Sequence, residues 1–421
     1  MTDSIRRAAS RIPAAALVCT LTLLTLSAVA ASVFPAAASA QAGISGGWRA
    51  QLDLAGGPLR FHMELHEEGG LSGRLCNGDS CDPFSEVRSL PGDSVLLEMG
   101  DYAAAIRAHV TADSLVGFYR NVGNRGPRTI PFRAYRGTWP VALPDEALLG
   151  LWDATYNPDT NPSPRVLDFR RTARGLEGTI ISNTGDSGLF WGGYENGRFV
   201  MSHFDGSFVY MLTGELQGDT VRGIFHAGLT SQRPFVAVRS TGGAHLTAPT
   251  EMVEADTTSA FEWAFPDLEG NMVTNDDERF RDKVVIVEIF GTWCPTCHDS
   301  APTMVKLYDR FRDRGLEIVG LAYEVTGDPE VDGALVRRYA EKFGIEFPLL
   351  LAGVNDSESP HATQPQLDGP IAFPTTIFLD ASGRVRRVHS GFYGPALGEV
   401  HEELEAELIS FTDELLREAG R

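Results

Sequence analysis

Two cysteines in Trp293-Cys294-Pro295-Thr296-Cys297 are the residues of this 421-residue chain whose type and spacing best suit chemistry. A pair of thiols this close supports thiol–disulfide exchange, in which one thiolate attacks a disulfide and a second thiol resolves the mixed disulfide. The flanking sequence assigns the roles. Val284–Phe290 is a short apolar run rich in β-branched residues, the pattern of a strand buried on both faces of a parallel sheet. The stretch that follows is charged and helix-permissive, with Met304, Leu307, Tyr308 and Phe311 at helical spacing, and predicts a helix over Asp299–Arg314. Cys294 is therefore expected at a strand-to-helix corner, where unpaired backbone N–H groups and the positive end of the helix dipole favour a thiolate. Exposed there, Cys294 is the expected nucleophile, and Cys297, one turn further in, the more buried resolving thiol. Pro295 suits the first helical turn, and Trp293 is expected to pack beside the pair and exclude water.

The elements that must position this pair alternate in type. Phe261–Leu268 and Asn271–Thr274 predict a short hairpin. Val284–Phe290 and Leu316–Tyr323 predict buried strands, with a helix over Glu330–Phe343 stopped at Gly344. A short strand over Phe347–Leu351, a hairpin of Thr375–Leu379 and Val385–Ser390, and a closing helix over Gly398–Glu418 complete an α/β sandwich. Glu288 interrupts the first apolar run, and a carboxylate buried there is expensive unless it is protonated or partnered.

From about residue 260 onward the sequence resembles the thioredoxin superfamily, and within it the exported TlpA/ResA-like thiol–disulfide oxidoreductases. The match rests on Val284–Phe290, Trp293–Cys297, Phe373-Pro374-Thr375-Thr376-Ile377-Phe378 and Gly391-Phe392. The resemblance implies a thioredoxin-like fold with no cofactor. It implies that Pro374 follows a cis peptide bond opposite the cysteines. Phe373, Thr375, Trp293 and Pro295 would then line the place where an extended substrate is held. It further implies that Glu288, six residues before Cys294, carries a proton to or from Cys297, so that the expected catalytic set is Cys294, Cys297, Glu288 and Pro374. Some relatives carry an acid three residues after the second cysteine. Here that position is Ser300, and that form of tuning does not transfer. The expected partners are protein disulfides and, for a reductase, a membrane electron-relay protein as reductant.

Other readings compete. Cys294-Pro295-Thr296-Cys297-His298 also fits the Cys-x-x-Cys-His pattern of c-type haem attachment, which would need an axial partner and a helical pocket rather than a motif ending a buried strand. In that contest His298 is expected to be a partly exposed helix residue. A peroxiredoxin would need one peroxidatic cysteine in a Pro/Thr-rich loop. A third reading makes the protein a β-repeat binding module with a non-essential redox domain.

The rest of the chain differs in character. Arg6, Arg7 and Arg11 precede a weakly apolar run, Ala14 to Ala31, and Ala38-Ser39-Ala40 closes it; this is the form of a secretory signal peptide over residues 1–40, implying a periplasmic or otherwise exported protein with no membrane insertion after cleavage. Cys19, in that run, has no lipobox around it. Removing the leader takes the formal charge from −20 to −22, because it holds three Arg and one Asp. So acidic a chain argues against nucleic acid or anionic membrane as a partner. From Gly46 to Ser240 short alternating segments separated by Gly, Asp and Asn predict antiparallel strands. Gly46-Gly47-Trp48 parallels Gly150-Leu151-Trp152, and Pro131–Arg136 parallels Pro234–Arg239, which predicts two tandem β repeats over residues 41–141 and 145–241. Each is expected to form a barrel or sandwich, and the Gly-x-Trp opening of each resembles lipocalin-like barrels. Residues 242–259 read as a linker and 260–421 as the redox domain. Cys76 and Cys81 flank a turn-rich tip and are expected to form a structural disulfide. His62 and His66 share a strand face with no third ligand, so no metal site is expected.

Overall fold

The computed structural model describes residues 43–122, 126–140, 142–241, 246–356 and 358–421, which fold as two all-β units followed by an α/β domain. The expected leader, with Cys19, lies outside the described residues, as do residues 242–245 of the expected linker.

The first unit is a meander of nine strands: β1 Gly46–Leu54, β2 Gly57–His66, β3 Ser72–Asn77, β4 Ser80–Pro83, β5 Glu86–Leu90, β6 Ser94–Met99, β7 Ala104–Val110, β8 Ser114–Asn121 and β9 Arg128–Arg136. Period-two alternation puts Trp48, Ala50 and Leu52 of β1 on the same inner face as Leu59, Phe61, Met63 and Leu65 of β2. The spatial order is β4-β3-β2-β1-β9-β8-β7-β6-β5, and the two edges do not pair, so the sheet is a half-barrel. A disulfide joins Cys76 to Cys81 across the β3–β4 hairpin, where the two residues face each other.

The second unit is also nine-stranded, with β10 Gly150–Tyr156, β11 Ser163–Thr172, β12 Gly175–Ser182, β13 Gly185–Asp186, β14 Phe190–Glu195, β15 Arg198–Phe204, β16 Val209–Gln217, β17 Thr220–Ala227 and β18 Ser231–Arg239. Here β11 pairs with β12, closing an eight-stranded barrel whose interior is filled by side chains that include Trp152, Tyr156, Phe169, Phe190, Phe199 and Phe235. In each unit a Trp of the first strand donates its indole N–H four residues back, Trp48 to the Ile44 carbonyl (2.9 Å) and Trp152 to that of Leu148 (2.8 Å). In each, an Arg ending the last strand, Arg136 or Arg239, lies over that ring at 4.0 Å. The end of β15 and the start of β16 insert Phe204 and Val209 into the core of the half-barrel, with Phe204 against Phe61 and Tyr119.

The α/β domain opens with β19 Glu254–Ala255, β20 Ala264–Pro266 and β21 Met272–Thr274. Its frame is β22 Val284–Phe290, α1 Pro295–Phe311, β23 Leu316–Glu324, α2 Pro329–Phe343, β24 Leu349–Val354, α3 Ser359–Thr363, β25 Leu367–Asp368, β26 Thr375–Leu379, β27 Val385–Ser390 and α4 Glu399–Glu418. The five-stranded sheet runs β24-β23-β22-β26-β27, with β22, β23 and β24 parallel and β26 and β27 antiparallel. β22 is central, which is why all seven of its residues are buried. One face packs on Met304, Leu307 and Phe311 of α1, Val336 and Tyr339 of α2, and Leu404, Leu408, Leu415 and Leu416 of α4. The other packs on Val253, Phe261, Trp263 and Phe280 from the segment before the sheet.

Several boundaries differ from the sequence reading. The expected hairpin 261–274 shrinks to β20 and β21 because the Asp267 carboxylate accepts the N–H groups of Glu269 and Asn271 and turns the chain early. The expected linker enters the domain: Val253 is 5% exposed in its core and β19 pairs with β25. That strand is too short to carry a periodic signal. β24 starts after Pro348, which has no N–H to give the sheet. The helix after the cysteines starts at Pro295 rather than Asp299. Among the described residues no helix is long and apolar enough to cross a membrane.

Candidate active site

Strand β22 delivers the chain to Gly291, where a side chain would collide with the Trp293 indole and the Tyr323 carbonyl. The turn beyond is pinned from β23. The Thr292 N–H and hydroxyl both donate to the Glu324 carboxylate at 2.8 Å, and the Trp293 indole donates to the Tyr323 carbonyl at 2.8 Å. Cys294 is the N-cap of α1 with Pro295 at N1, and its carbonyl accepts the N–H groups of Cys297 (3.0 Å) and His298 (3.2 Å). Both cysteines are free thiols. The Cys294 thiol donates to the Phe373 carbonyl at 3.3 Å, and the Phe373–Pro374 peptide bond is cis. The Trp293 ring meets Phe373 edge-on at 5.1 Å, while Thr375, fully buried, donates to the Ala372 carbonyl. Residues about eighty positions apart in the chain thus meet around one sulfur.

Cys294 is only 3% exposed, not the open thiol expected at a helix start. Backbone and side chains of the β units stand around it, as described below. Cys297 is fully enclosed, and burial first, then the adjacent Cys294 sulfur, hold its thiol well above the usual range. The Glu288 carboxylate adds to that shift. Glu288 itself is 5% exposed and accepts from the Ser300 hydroxyl (3.1 Å) and the Thr376 hydroxyl (2.7 Å). Burial pushes its carboxyl up to about 7 against those two donors. Ser300 also donates to the Cys297 carbonyl at 3.1 Å, as does the Tyr339 phenol at 2.7 Å. Glu324 is a second buried carboxyl, likewise pushed up to about 7 by burial and held down by its bonds to Thr292.

His298 corrects the sequence expectation most sharply. It is buried, stacked on Tyr102 at 4.2 Å and met edge-on by Tyr339 and Phe343. Burial, aided by nearby Lys342, holds its imidazole down at about 4, so the ring is neutral near pH 7. Its Nε2 donates to the Thr292 carbonyl (2.8 Å) and its Nδ1 accepts from Lys342 (3.3 Å), which also pairs with Asp101. Both ring nitrogens are engaged beneath aromatic rings, which is no place for a porphyrin iron. His62 is partly buried against Trp191, and no cluster of possible metal ligands occurs among the described residues.

The β units close over this site. The Ser207 hydroxyl donates to the Trp293 carbonyl at 2.8 Å. The Thr184 carbonyl accepts the Phe392 N–H at 3.3 Å, the Asp186 carboxylate accepts the Gly394 N–H at 2.6 Å, and Arg170 donates to the Ala396 carbonyl. A cavity of about 570 Å³ remains between the units and the helix start; Asp82, Glu177 and Asp205 line it on one side and Thr296, His298 and Asp299 on the other. Asp186 and Asp299 come together beside Gly394, and burial raises both carboxyls, Asp299 also through Asp186. Of the residues in these contacts the sequence reading singled out Trp293 and Gly391-Phe392, and nothing there paired them with the β units.

The Redoxin family profile matches residues 253–402. Over 133 residues the chain is 32% identical to the thiol-disulfide oxidoreductase ResA of Geobacillus thermodenitrificans, covering 32% of this chain and 68% of that protein. The chain belongs to the ResA-like thiol–disulfide oxidoreductases. The ResA of Geobacillus kaustophilus is 31% identical over 133 residues, with 32% and 68% coverage. A solved thioredoxin-family thiol:disulfide interchange protein from Chlorobium tepidum is 25% identical, covers 39% of this chain and 99% of its own, and superposes with a TM-score of 0.30. By the Redoxin match and the ResA relatives the C-terminal domain is that of a thioredoxin-like oxidoreductase, and the Redoxin profile starts at Val253, inside the expected linker. Both β units lie outside the family match.

Proposed function

We propose that the protein exchanges disulfides in exported proteins through Cys294-Pro295-Thr296-Cys297. The observation that carries this is the Cys294 thiol at the start of α1, directed at the Phe373 carbonyl beside Pro374. The Cys294 thiolate attacks one sulfur of a substrate disulfide. The S–S bond breaks, a mixed disulfide forms, and the leaving thiolate takes a proton. Cys297 then loses its proton to the Glu288 carboxylate and attacks the Cys294 sulfur. A Cys294–Cys297 disulfide forms, the second substrate thiolate leaves, and two electrons have passed to the substrate. A dithiol partner, the membrane electron relay of the exporting cell, takes the new disulfide and returns the pair to thiols. Trp293, Pro295, Phe373 and Thr375 flank the sulfur and hold the substrate backbone.

The leader at residues 1–40 directs export to the periplasm or its equivalent. The two β units are copies of one ancestral, lipocalin-like unit, a reading supported by the matched Trp48/Arg136 and Trp152/Arg239 arrangements. Their packed interiors favour a structural role over one as ligand-holding barrels. Steady-state reduction of a disulfide-bonded peptide tests the mechanism. Cys294→Ser is expected to abolish it, and unchanged turnover in that variant overturns the assignment.

A further inference from the structure

A polypeptide that docks beside a buried thiol needs free backbone to pair with. Around Cys294 that backbone is Phe373-Pro374 and Gly391-Phe392, tied together by the Gly391 N–H donating to the Pro374 carbonyl at 2.7 Å. The Gly391-Phe392 part of it is already occupied. The end of the β12–β13 hairpin, a tip of residues 183–186 that includes β13, lies along Gly391–Gly394: Gly185 pairs with Phe392 in parallel, the Thr184 carbonyl accepts the Phe392 N–H, and the Asp186 carboxylate accepts the Gly394 N–H. At Phe392 the contact is backbone on backbone, with a glycine on each side, and the Asp186 carboxylate adds a side-chain acceptor at Gly394. Gly185 (φ +122°) and Gly391 (φ +104°) face each other so closely that a Cβ on the first would overlap the Phe392 carbonyl and one on the second the Thr184 carbonyl. Across the thiol, Ser207 holds the Trp293 carbonyl. Main-chain pairing of the kind seen at Phe392 is indifferent to side chains, so an extended substrate makes the same main-chain bonds.

We propose that residues 183–186 are an internal occupant of the groove in which an extended, cystine-bearing polypeptide docks, and that such a substrate reaches Cys294 by replacing them. This rests on Cys294 being the nucleophile. The tip decides which disulfides react: a flexible chain can displace it strand for strand, whereas the face of a folded protein cannot.

The test uses the full-length reduced protein with Gly185→Val and, separately, Ser207→Ala. Rates are compared for a disulfide-bonded eight-residue peptide and for the small aromatic disulfide dithiobis(nitrobenzoate). Loosening the tip is expected to raise the peptide rate about fivefold or more in Gly185→Val, with the small-disulfide rate within about twofold. A peptide rate that does not rise in either folded variant overturns the proposal. Should Gly185→Val fail to fold, Cys297→Ser trapped as the mixed disulfide with the same peptide decides it by hydrogen exchange. Amides 183–186 are then expected to exchange about tenfold faster than in the free protein, and unchanged protection refutes displacement. Failure to form the mixed disulfide at all counts instead against Cys294 as nucleophile.

Discussion

Glu288 and Glu324 are two carboxyls whose burial changes what the protein does with pH. Both are held at about 7 against an ordinary 4.5. A group raised on folding keeps its proton in the native state after the unfolded chain has lost it. Stability therefore falls as pH rises from about 4.5 to about 7 and levels off above, by at most about 3 kcal/mol per group. Urea unfolding at pH 5 and pH 8 measures this, and Glu288→Gln or Glu324→Gln is expected to shrink the difference; a difference unaltered in both variants would contradict the assignment. Glu288→Gln has a second expected effect. With no base for Cys297, the mixed disulfide on Cys294 should live about 10- to 100-fold longer at pH 7, and the step in its decay near pH 7 should vanish. Stopped-flow decay of a fluorescent peptide adduct reads both. Glu288 was visible in the sequence because it breaks an apolar run. Glu324 was not, since it sits at the end of its strand, where a polar residue is ordinary.

At the scale of elements, the site is one strand, one tight turn and one helix, held from the side by β23 and β26. That frame was legible because buried parallel strands and amphipathic helices write strong patterns. What escaped were elements two or three residues long, such as β19 and β13, where neither periodicity nor propensity accumulates, and the start of α1, which Pro295 sets rather than the apolar stripe. The β3–β4 hairpin offers a separate check. Its disulfide closes a loop with a sequence separation of 5, so Cys76→Ser with Cys81→Ser is expected to cost about 2 kcal/mol in the chain-entropy account. Peptide-disulfide reduction should be unchanged. Thermal melting and the peptide assay measure the two halves of that statement, and lost activity in a folded double variant would make this pair part of the redox chemistry.

The whole molecule is less modular than its sequence. Three regions of distinct pattern read as separate domains, yet Phe204 and Val209 of the second unit complete the core of the first, Ser207 of the second touches the turn that carries Cys294, and Tyr102 of the first stacks on His298 of α1. Phe204→Ala is expected to cost about 3–5 kcal/mol and to lower the unfolding midpoint of the first β unit along with the second. Hydrogen exchange resolved by segment would show it, and destabilisation confined to the second unit would contradict the interlock. Contacts between domains are invisible to pattern because the residues that make them, Thr184, Gly185 and Ser207, are ordinary turn residues. This is why the sequence reading puts Cys294 in the open and the fold puts it under cover. The most direct test of the account is to react Cys297→Ser with the disulfide-bonded peptide and locate the adduct by mass spectrometry. One peptide on Cys294 is the expected result, and no adduct, or an adduct anywhere but Cys294, would contradict it.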